Sequence, residues 1–484
     1  MGTVDSYIED VIKRGDEGSA LLARLTAPTL RNSPYVDVVQ EGMNGVAVVR
    51  VPQGYDIIVH STTGDQSRID PAAHATSLVT NLVQQAQDIR ATPVGFANII
   101  DSRTGDSTLL QTIGTSLATA ADAHNVAVLN GENAILGDRV AVDANISGTM
   151  ISLIPSNEGP QKPVFTTVSD IIYARFNPEG KPVYINVDGV GTKTEFHERA
   201  RTYPFAVGDW FAMVMDDAAK LAATVKVVAG VLETRRRIPF LKIRSCVTRE
   251  AQDRDIIGIL HHTVSNTRIR GYNEDTPSFN LGGAAVSTID EERLKHPLTP
   301  TDGNSVVAIR GEPNPRSNGI TQKRKLMIQL FGEDWHQTRE GRLFLEYLAT
   351  PSTVLYDVFQ DLIKTDLATG VFHMSGGAYE GKLAKPLSRL GLRASLDNLF
   401  LPDWRELTLA GACFSSAADA YRKWPMGNDG FVTTQKPDKA LEIIDAHGLE
   451  GRVVGYISTM KPADTGVGLI VPTTREQVTF TGKG

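Results

Sequence analysis

A short glycine-containing segment offers the clearest chemistry in this sequence. Residues 184–193 read Tyr-Ile-Asn-Val-Asp-Gly-Val-Gly-Thr-Lys, a β-like run that ends in an aspartate, two glycines, a hydroxyl and a lysine. Glycines let backbone N–H groups approach phosphate oxygens, a lysine adds positive charge, and an aspartate oxygen can hold Mg²⁺. We name residues 188–193 the glycine loop and predict that it binds phosphates. A tight turn with a solvated lysine is the structural alternative, since the loop fits neither the Walker nor the dinucleotide pattern.

Three aspartates follow the glycine loop in a segment with helical character. Asp209 and Asp216 stand seven residues apart, which places them on one stripe of a helix two turns apart. Asp216 and Asp217 lie among apolar residues, where bare carboxylates are costly. Clustered carboxylates and phosphate oxygens suit a hard cation, so the pattern favours a magnesium site. An ordinary helix ion pair between an aspartate and Lys220 is the alternative.

Two further glycine turns occur in the last third of the chain. Residues 315–319 read Pro-Arg-Ser-Asn-Gly and precede a helix predicted to start near Thr321, whose amides together with Arg316 could form an anion site. Residues 372–381 form a second Gly-rich loop that carries His373. This histidine is a candidate acid or base, and equally a structural hydrogen-bonding group.

The elements that position these residues alternate between strands and helices, which predicts an α/β or α+β fold. Strands are predicted at 46–51, 55–60, 94–100, 126–129 and 146–154, with helices at 72–90 and 108–123. After a Pro- and Gly-rich linker at 156–163 the pattern restarts, with strands at 183–187, 225–232 and 279–288 and helices at 206–223 and 249–261. The segments 142–151 and 278–286 are similar, which suggests an internal duplication. After a second boundary at 296–304 a different unit follows, with late strands at 453–457 and 467–471.

Composition excludes several classes of protein. The 484 residues carry a formal net charge of −7, which argues against a nucleic-acid or membrane-surface binder. No apolar run is long enough for a membrane helix, and residues 1–16 lack the layout of a secretory signal. The two cysteines, Cys246 and Cys413, have no metal-like spacing, so we expect a reducing, cytoplasmic setting. His261 and His262 are adjacent and are predicted to be surface or packing residues.

Together these segments resemble aminoimidazole ribonucleotide (AIR) synthetase, the phosphoribosylformylglycinamidine cyclo-ligase family of the PurM-like superfamily. The family pattern Val-Asp-Gly-Val-Gly-Thr-Lys stands unbroken at 187–193. The family's acidic helix is similar to 209–217, and its Gly-Gly-Glu-Thr-Ala turn is similar to 130–134, which contains Glu132. Its His-Ser-Asn-Gly, His-Ile-Thr-Gly-Gly-Gly and Asn-Met-Gly turns resemble 316–319, 373–378 and 425–427, and its N-terminal segment is echoed at 16–22.

The order of the matching segments departs from the family. The Gly-Glu turn precedes the glycine loop here, and a duplication explains this. The first copy has residues 57–66 where the glycine loop belongs and Gln84-Gln85 where the acidic pair belongs, and it keeps Glu132 and Asp143. The second copy keeps the loop and acids, with Asn280 in place of Asp143. Because family members are dimers with a shared barrel, the resemblance implies both barrel halves in one chain, with domains at 1–158, 164–296 and 303–484.

The resemblance also implies a reaction and a site. It implies that ATP and Mg²⁺ close the imidazole ring of formylglycinamidine ribonucleotide in purine biosynthesis, and that the chain is an intrachain pseudo-dimer that could pair further. The implied catalytic residues are Lys193, His373 and Asp217, and the implied metal ligands are Asp188, Asp216 and Asp217. The implied nucleotide-binding residues are Asp188, Gly189, Gly191, Thr192, Lys193, Asp209, Asp216 and Glu132. The implied substrate-binding residues are Arg316, Ser317, Asn318, Gly319, Ser375, Gly376 and Gly377.

Rival functions remain within and outside the superfamily. A formylglycinamidine synthetase is the nearest rival because it is also internally duplicated, although this sequence shows no glutaminase cysteine motif. A selenophosphate synthetase would be expected to have an early cysteine, and a hydrogenase-maturation member would be expected to end in a cysteine tail. A thiamine-phosphate kinase would be expected to have a different carboxy-terminal part. A non-catalytic nucleotide-binding paralogue is the alternative from a different class, since Arg316 and Ala378 replace family residues.

Overall fold

The computed structural model describes residues 17–39, 46–156, 164–168, 170–265, 267–461 and 463–482. The chain forms two compact units, a first unit of 1–214 with 223–295 and a second unit of 215–222 with 296–484. Most of the predicted 156–163 linker, and the part of the N-terminal resemblance at Asp16, lie outside the described residues. The limits predicted for three domains stay a prediction.

The first unit contains two six-stranded sheets. Their strands, in chain order, are β1 (Val36–Val39), β2 (Val46–Val49), β3 (Tyr55–Thr63), β4 (Thr92–Ser102), β5 (Ala127–Ile135), β6 (Ala144–Pro155), β7 (Val164–Val168), β8 (Ile171–Phe176), β9 (Val183–Gly189), β10 (Thr224–Arg235), β11 (Ile257–Val264) and β12 (Ser278–Thr288). One sheet has the strand order β1-β2-β9-β12-β10-β11, and the other has the order β5-β4-β6-β3-β8-β7. Its helices are α1 (residues 17–26), α2 (Pro71–Asp88), α3 (Ser107–Ala123), α4 (Thr194–Ala200), α5 (Ala206–Ala219, whose last residues belong to the second unit), α6 (Phe240–Gln252) and α7 (Glu291–Lys295).

The two sheets repeat one four-strand arrangement. The order β5-β4-β6-β3 of one sheet matches β11-β10-β12-β9 of the other, with a parallel pair at one end and antiparallel pairs elsewhere. In each sheet, a fifth and a sixth strand come from the hairpin that directly precedes the four strands of the other sheet in the sequence. Strands β1–β2 join β9, while β7–β8 join β3. The topology is therefore repeated and reciprocally exchanged, and its origin in a duplicated domain stays a prediction.

Apolar alternation along the strands builds the first unit's core. In β4, Ala97 and Ile99 belong to a buried cluster that draws residues from both sheets, whereas Phe96 and Ile100 pack with α2 and α3 on the opposite face. Successive strand residues point to opposite faces, so one strand serves both layers. Each fully buried aliphatic side chain contributes roughly 1.5–3 kcal/mol. The glycine loop and the Glu132 strand are therefore held by a well-packed pair of sheets.

The second unit is built around one seven-stranded sheet. Its order is β14-β16-β13-β17-β15-β18-β19, where the strands are β13 (Ser305–Arg310), β14 (Gly370–His373), β15 (Leu392–Leu396), β16 (Gly430–Thr434), β17 (Glu450–Thr459), β18 (Gly466–Ile470) and β19 (Gln477–Phe480). The helices are α8 (Ile320–Phe331), α9 (Arg339–Leu348), α10 (Tyr356–Lys364), α11 (Lys385–Arg389), α12 (Trp404–Cys413), α13 (Ala417–Lys423) and α14 (Pro437–Ala446). Among the described residues, no helix is long and apolar enough to cross a membrane.

The mixed sheets with covering helices confirm the predicted α+β class, and one predicted element is wrong. Residues 249–261 were predicted to form a helix, but α6 ends at Gln252 and β11 begins at Ile257. Asp255 has a φ of +53°, which stops the helix, and the following run is rich in strand-forming residues. His262, now in β11, bonds Thr234 and stacks on Phe240, which makes it a packing residue.

Candidate functional site

The glycine loop connects β9 to α4 through a sharp turn. Gly191 has a φ of +63°, a left-handed conformation that glycine adopts without strain. Asp188 accepts a hydrogen bond from the N–H of Gly189 at 2.7 Å, which fixes the first carboxylate of the loop. A 3₁₀ turn over Gly191–Lys193 then leads directly into α4. Strand, glycine turn and helix start thus follow one another as a phosphate site requires.

Lys193 is tied to the interior of the first unit. Its Nζ lies 2.6 Å from one Asp209 oxygen, and His197 Nε2 lies 2.8 Å from the other, with none of the three side chains exposed. Burial alone would raise the pKa of Asp209, but Lys193 and His197 outweigh it and hold that pKa below its usual range. Burial lowers the pKa of His197, so the ring is neutral and donates to Asp209. Lys193 and Asp209, predicted to contact nucleotide, therefore anchor the loop to α5 in this structure.

Arg139 holds the helix that follows the glycine loop, and sequence reasoning missed it. Its guanidinium donates to both Glu198 oxygens at 2.6 and 2.7 Å and to Thr194 Oγ1 at 3.0 Å. Both acceptors lie on α4, whereas Arg139 comes from the turn after β5, in the first half of the unit. Bidentate charged pairs fix geometry strongly. One half of the repeat thus positions the loop of the other half.

A second arginine occupies the matching place in the repeat. Arg139 donates to the carbonyl of Phe279, and Arg268 donates in the same way to the carbonyl of Ala144. The residues that follow the two arginines, Val140 and Ile269, form an isolated antiparallel bridge. The two halves of the first unit are therefore related by an approximate two-fold arrangement at this point.

In the first half of the repeat, the segment that corresponds to the glycine loop, residues 57–66, is closely packed. After β3, the fully buried His74 donates from Nδ1 to the Asp65 carbonyl at 3.0 Å and accepts from the Ile146 N–H at 3.2 Å. Burial lowers the pKa of His74 to about 4, which keeps this neutral pattern. A Cβ at Gly64 would lie 2.6 Å from the His74 ring, so no free space remains beside this turn.

Glu132 lies on a strand beside the one that leads into the glycine loop. Asn130, two residues earlier, donates to the Ile185 carbonyl of β9 at 3.0 Å. Leu136, just after β5, would be 3.9 Å from a Cβ at Gly191. The strand bearing Glu132 therefore runs next to the loop, and the nucleotide role of Glu132 stays a prediction.

In the second unit, Asp216 and Arg316 form a buried pair. Arg316 Nη2 lies 3.0 Å from Asp216 Oδ2, and the N–H of Leu355 donates to the other oxygen at 2.8 Å. Burial raises the pKa of Asp216 to about 7, against the opposing effect of Arg316. Arg316 also donates to the carbonyls of Thr353 and Met374. A guanidinium that is 1% exposed and committed to these acceptors is an internal anchor, so its predicted role as a direct phosphate ligand does not fit.

Asp217 pairs with both His373 and Lys220. His373 Nε2 lies 2.6 Å from Asp217 Oδ1, and Lys220 forms an ion pair with the same oxygen. Burial alone would raise the pKa of Asp217, but Lys220, Lys382 and His373 hold it well below its usual range. The Asp–Lys220 helix pair, the alternative to a metal site, is therefore present.

His373 is neutral in this arrangement. Burial lowers its pKa to about 3, although Asp217 opposes the shift. Its buried Nδ1 has no hydrogen-bond partner among the described residues. An imidazole with so low a pKa accepts a proton poorly near neutral pH, so it suits hydrogen bonding to a ligand better than proton transfer. Its catalytic role stays a prediction.

Three turns that lie far apart in the sequence meet in the second unit. Asn318 of the 315–319 turn donates to the Ser375 carbonyl at 2.9 Å, and Tyr379, after the 373–378 turn, donates to the Pro425 carbonyl at 3.3 Å. Gly376 is exposed, and a Cβ there would meet nothing within 4 Å. These turns carry positive φ angles at Arg316, Ser317, Gly319, Gly377, Ala378, Met426 and Gly427. Such strain at non-glycine residues costs about 1–3 kcal/mol each and clusters at functional sites.

The predicted magnesium ligands are divided between the units, with Asp188 in the first and Asp216 and Asp217 in the second. Within the described ranges, no group of three or more His, Cys, Asp and Glu side chains could hold a metal ion. Asp216 is fully buried against Arg316, so its oxygens do not fit an inner ligand of magnesium in this structure. Asp188 and Asp217 stay predicted ligands.

Comparisons with known proteins find distant relatives of this chain. The phosphoribosylformylglycinamidine cyclo-ligase of Clostridium perfringens is 24% identical over 300 residues, 58% of this chain and 84% of that protein. The protein of the same name from Methanococcus maripaludis is 22% identical over 284 residues, 56% of this chain and 76% of its own length. A solved structure of hydrogenase maturation protein HypE in complex with ATP covers 61% of this chain and 83% of its own, at 10% identity and a TM-score of 0.40. No family model matches the chain.

The chain has an α+β fold of mixed sheets covered by helices. Its sequence is similar to phosphoribosylformylglycinamidine cyclo-ligases, and this similarity supports a place in the PurM-like superfamily. The resemblance and the fold class predicted from the sequence are thereby confirmed.

Proposed function

We propose that this chain is an ATP-dependent cyclo-ligase that converts formylglycinamidine ribonucleotide to 5-aminoimidazole ribonucleotide, with ADP and phosphate as the other products. The observation that carries the proposal is the meeting of the 315–319, 373–378 and 425–427 turns in one unit, because these are the turns that resemble the cyclo-ligase family. The cyclo-ligase relatives, matched over up to 84% of their length, support the same reaction.

The proposed roles follow from where each residue lies. The backbone amides of Gly191 and Thr192 bind ATP phosphates just before α4, and Gly189, whose own N–H donates to Asp188, lets the phosphates approach the backbone closely. Lys193, buried against Asp209, holds the loop in shape and adds positive charge. When bound, ATP supplies the phosphoryl group that makes the formamide oxygen a leaving group.

The second unit is proposed to hold the substrate. The amides that open α8 and the backbone of the exposed Gly376 and the half-buried Gly377 bind its phosphate, while Arg316 keeps the first of these turns in place. The Nδ1 of His373 accepts a hydrogen bond at the reacting group, because its Nε2–H donates to Asp217, which orients the ring. Orientation and charge neutralisation, rather than covalent catalysis by the protein, account for the expected rate. Asp188 and Asp217 have the oxygen chemistry for Mg²⁺, whereas Asp216 does not fit.

A non-catalytic nucleotide-binding protein is the second candidate. It is favoured by the internal pairing of Lys193 with Asp209 and of Arg316 with Asp216, which leaves both cations engaged without a ligand. Under this candidate ATP binds but is not hydrolysed when formylglycinamidine ribonucleotide is added.

The proposed reaction is tested by ATP hydrolysis that depends on formylglycinamidine ribonucleotide. We expect turnover by the wild type and a loss of about tenfold or more in Gly191→Ala, whose new side chain disturbs the loop at φ +63°. Gly180→Ala is the matched control, since Gly180 has a φ of +74°, open space and a place outside the loop. Both variants pay a similar backbone cost of about 1 kcal/mol. Intact ATP binding without any turnover by the wild type would instead favour the non-catalytic candidate.

The number of nucleotides bound per chain tests whether only the second half of the repeat has a nucleotide site. We expect one non-hydrolysable ATP analogue to bind per chain in isothermal titration calorimetry, because His74 fills the first-half turn that matches the glycine loop. Gly191→Ala should weaken this single site. Two sites of similar affinity in the wild type would contradict the closed state of the first-half turn.

A further inference from the structure

A buried carboxylate that sequence reasoning missed directly precedes β16. Asp429 is 4% exposed, and its Oδ2 accepts hydrogen bonds from the N–H of Gly311 at 2.8 Å and from the hydroxyl of Thr353 at 2.9 Å. Its Oδ1 accepts one from the side-chain amide of Asn314 at 3.3 Å. Gly311 and Asn314 belong to the segment that joins β13 to the 315–319 turn. The carboxylate therefore fixes the chain that enters this turn.

Two further contacts strengthen the link between Asp429 and the 315–319 turn. The Oδ1 of Asn314 accepts the N–H of Arg316 at 2.8 Å, at the start of the turn. The Nε of Arg316 lies 3.9 Å from Asp429 Oδ1, which is within the range of an ion pair. Hydrogen bonds to charged groups are stronger than those between neutral groups. Asp429 thus reaches Arg316 both directly and through Asn314.

The main chain of Asp429 reaches a second turn. Its carbonyl accepts the N–H of Met374, in the 373–378 turn, at 2.9 Å. Its own N–H donates to the carbonyl of Ile309 in β13, also at 2.9 Å. Asp429 also follows the 425–427 turn by two residues. One residue that is anchored to β13 therefore contacts the segments of two turns and adjoins the third.

We propose that Asp429 is a positioning residue of the candidate site, whose carboxylate fixes the 315–319 turn and whose carbonyl fixes the 373–378 turn. The first of these turns needs such support, because Arg316 and Ser317 have φ angles of +51° and +50°. Non-glycine residues keep this conformation only where surrounding contacts hold them. The kinetic consequence of the proposal rests on the proposed function, because these turns are assigned to the substrate.

Asp429→Asn separates the effects on the two turns. The variant keeps one acceptor oxygen but brings an NH2 group against the Asn314 amide, so that two donors face each other. The main-chain carbonyl is unchanged and still holds the 373–378 turn. We therefore expect the KM for formylglycinamidine ribonucleotide to rise about tenfold, with kcat within about twofold of the wild type. Asp397→Asn, which removes an exposed carboxylate from the same unit, is the matched control and should behave as the wild type.

An exchange of donor and acceptor tests the contact between Asn314 and Asp429 itself. Asn314→Asp places a second carboxylate beside Asp429, and we expect a similar rise in KM. Asn314→Asp combined with Asp429→Asn restores one donor and one acceptor in reversed positions, so the KM should lie within about threefold of the wild type. Two unrelated structural defects would instead add. If Asp429→Asn does not fold, Thr353→Val removes a single donor to this carboxylate and should raise KM about threefold.

A second readout does not depend on the reaction. We expect Asp429→Asn to speed amide hydrogen exchange in peptides that cover 311–319, with little change in peptides from 370–378 and none in the first unit. If the wild type lacks cyclo-ligase activity, the proposed function fails while this exchange result still supports the positioning role. Unchanged exchange over 311–319, equal acceleration throughout the second unit, or a double variant with additive effects on KM would overturn it.

Discussion

Lys193→Met is expected to lower the free energy of unfolding by about 3–5 kcal/mol, because it leaves Asp209 buried without its cation. The same variant is expected to abolish ATP turnover, because the glycine loop loses both its anchor and a positive charge. Stability is measured by urea unfolding, with hydrogen exchange in α4 peptides to report on the first unit. Lys181→Met is the matched control, since its ion pair with Asp290 is exposed and worth at most about 1 kcal/mol.

A double variant separates the two roles of Lys193. Lys193→Met with Asp209→Asn removes the unpaired charge while His197 keeps a hydrogen-bond partner. We expect it to recover at least half of the lost stability, since the cost of a broken buried pair lies mainly in the remaining charge. ATP turnover should stay lost if Lys193 acts on the phosphates. Recovery of both stability and turnover would limit Lys193 to an anchoring role.

The sequence predicted the segments of the site better than the partners of its side chains. Periodicity and glycine positions located the glycine loop and the helix bearing Asp209 and Asp216, because these are local properties. Asp209 was predicted to bind the nucleotide and Asp216 a metal ion, but each pairs with a cation from elsewhere in its unit, Lys193 or Arg316. Tertiary packing decides which cation pairs with each aspartate. The spacing of residues in a single sequence, without an alignment, does not reveal these partners.

The missed features share the same cause. Arg139 stands among ordinary turn residues, and it reaches α4 through contacts between residues far apart in the sequence, among them the bridge between Val140 and Ile269. The exchanged hairpins could not be predicted, since either sheet offers an equivalent edge to β1–β2. The repeated pattern did predict two similar halves, although the segment 249–261 was assigned to a helix because its apolar residues fit either period.

The two halves also share a crossed pair of acids and amides. Asp101 of β4 is paired in register with Asn145, and Glu233 of β10 is paired with Asn280, so Asn280 matches Asn145 and not Asp143 as predicted from the sequence. Each carboxylate nevertheless accepts from the amide of the other half, with Asn280 Nδ2 2.6 Å from Asp101 and Asn145 donating to Glu233. Both acids are buried, and neutral amides do not cancel two negative charges.

This crossed pair predicts that the first unit is less stable at higher pH. Burial, with Glu233 adding repulsion, raises the pKa of Asp101 to about 7 from an unfolded value near 3.8. A carboxyl group whose pKa is raised by folding stabilises the folded protein fully at a pH below its pKa in the unfolded chain. This stabilisation is lost as the pH rises through its pKa in the folded protein. A shift of this size corresponds to about 4 kcal/mol lost between pH 4 and 7.

Asp101→Asn should remove this dependence and stabilise the first unit above pH 7, since the amide carries no charge to bury. The measurement is the difference in unfolding free energy between variant and wild type at pH 4, 6 and 8, followed by hydrogen exchange in β4 and β10. Taking the difference cancels other raised groups such as Asp216. Asp253→Asn, at an exposed position after α6, should give a difference that does not vary with pH. Equal destabilisation by Asp101→Asn at all three pH values would contradict this prediction. The Asp101 carboxylate would then be ionised and paired in the folded protein, and its charge would stabilise the contact between the two halves.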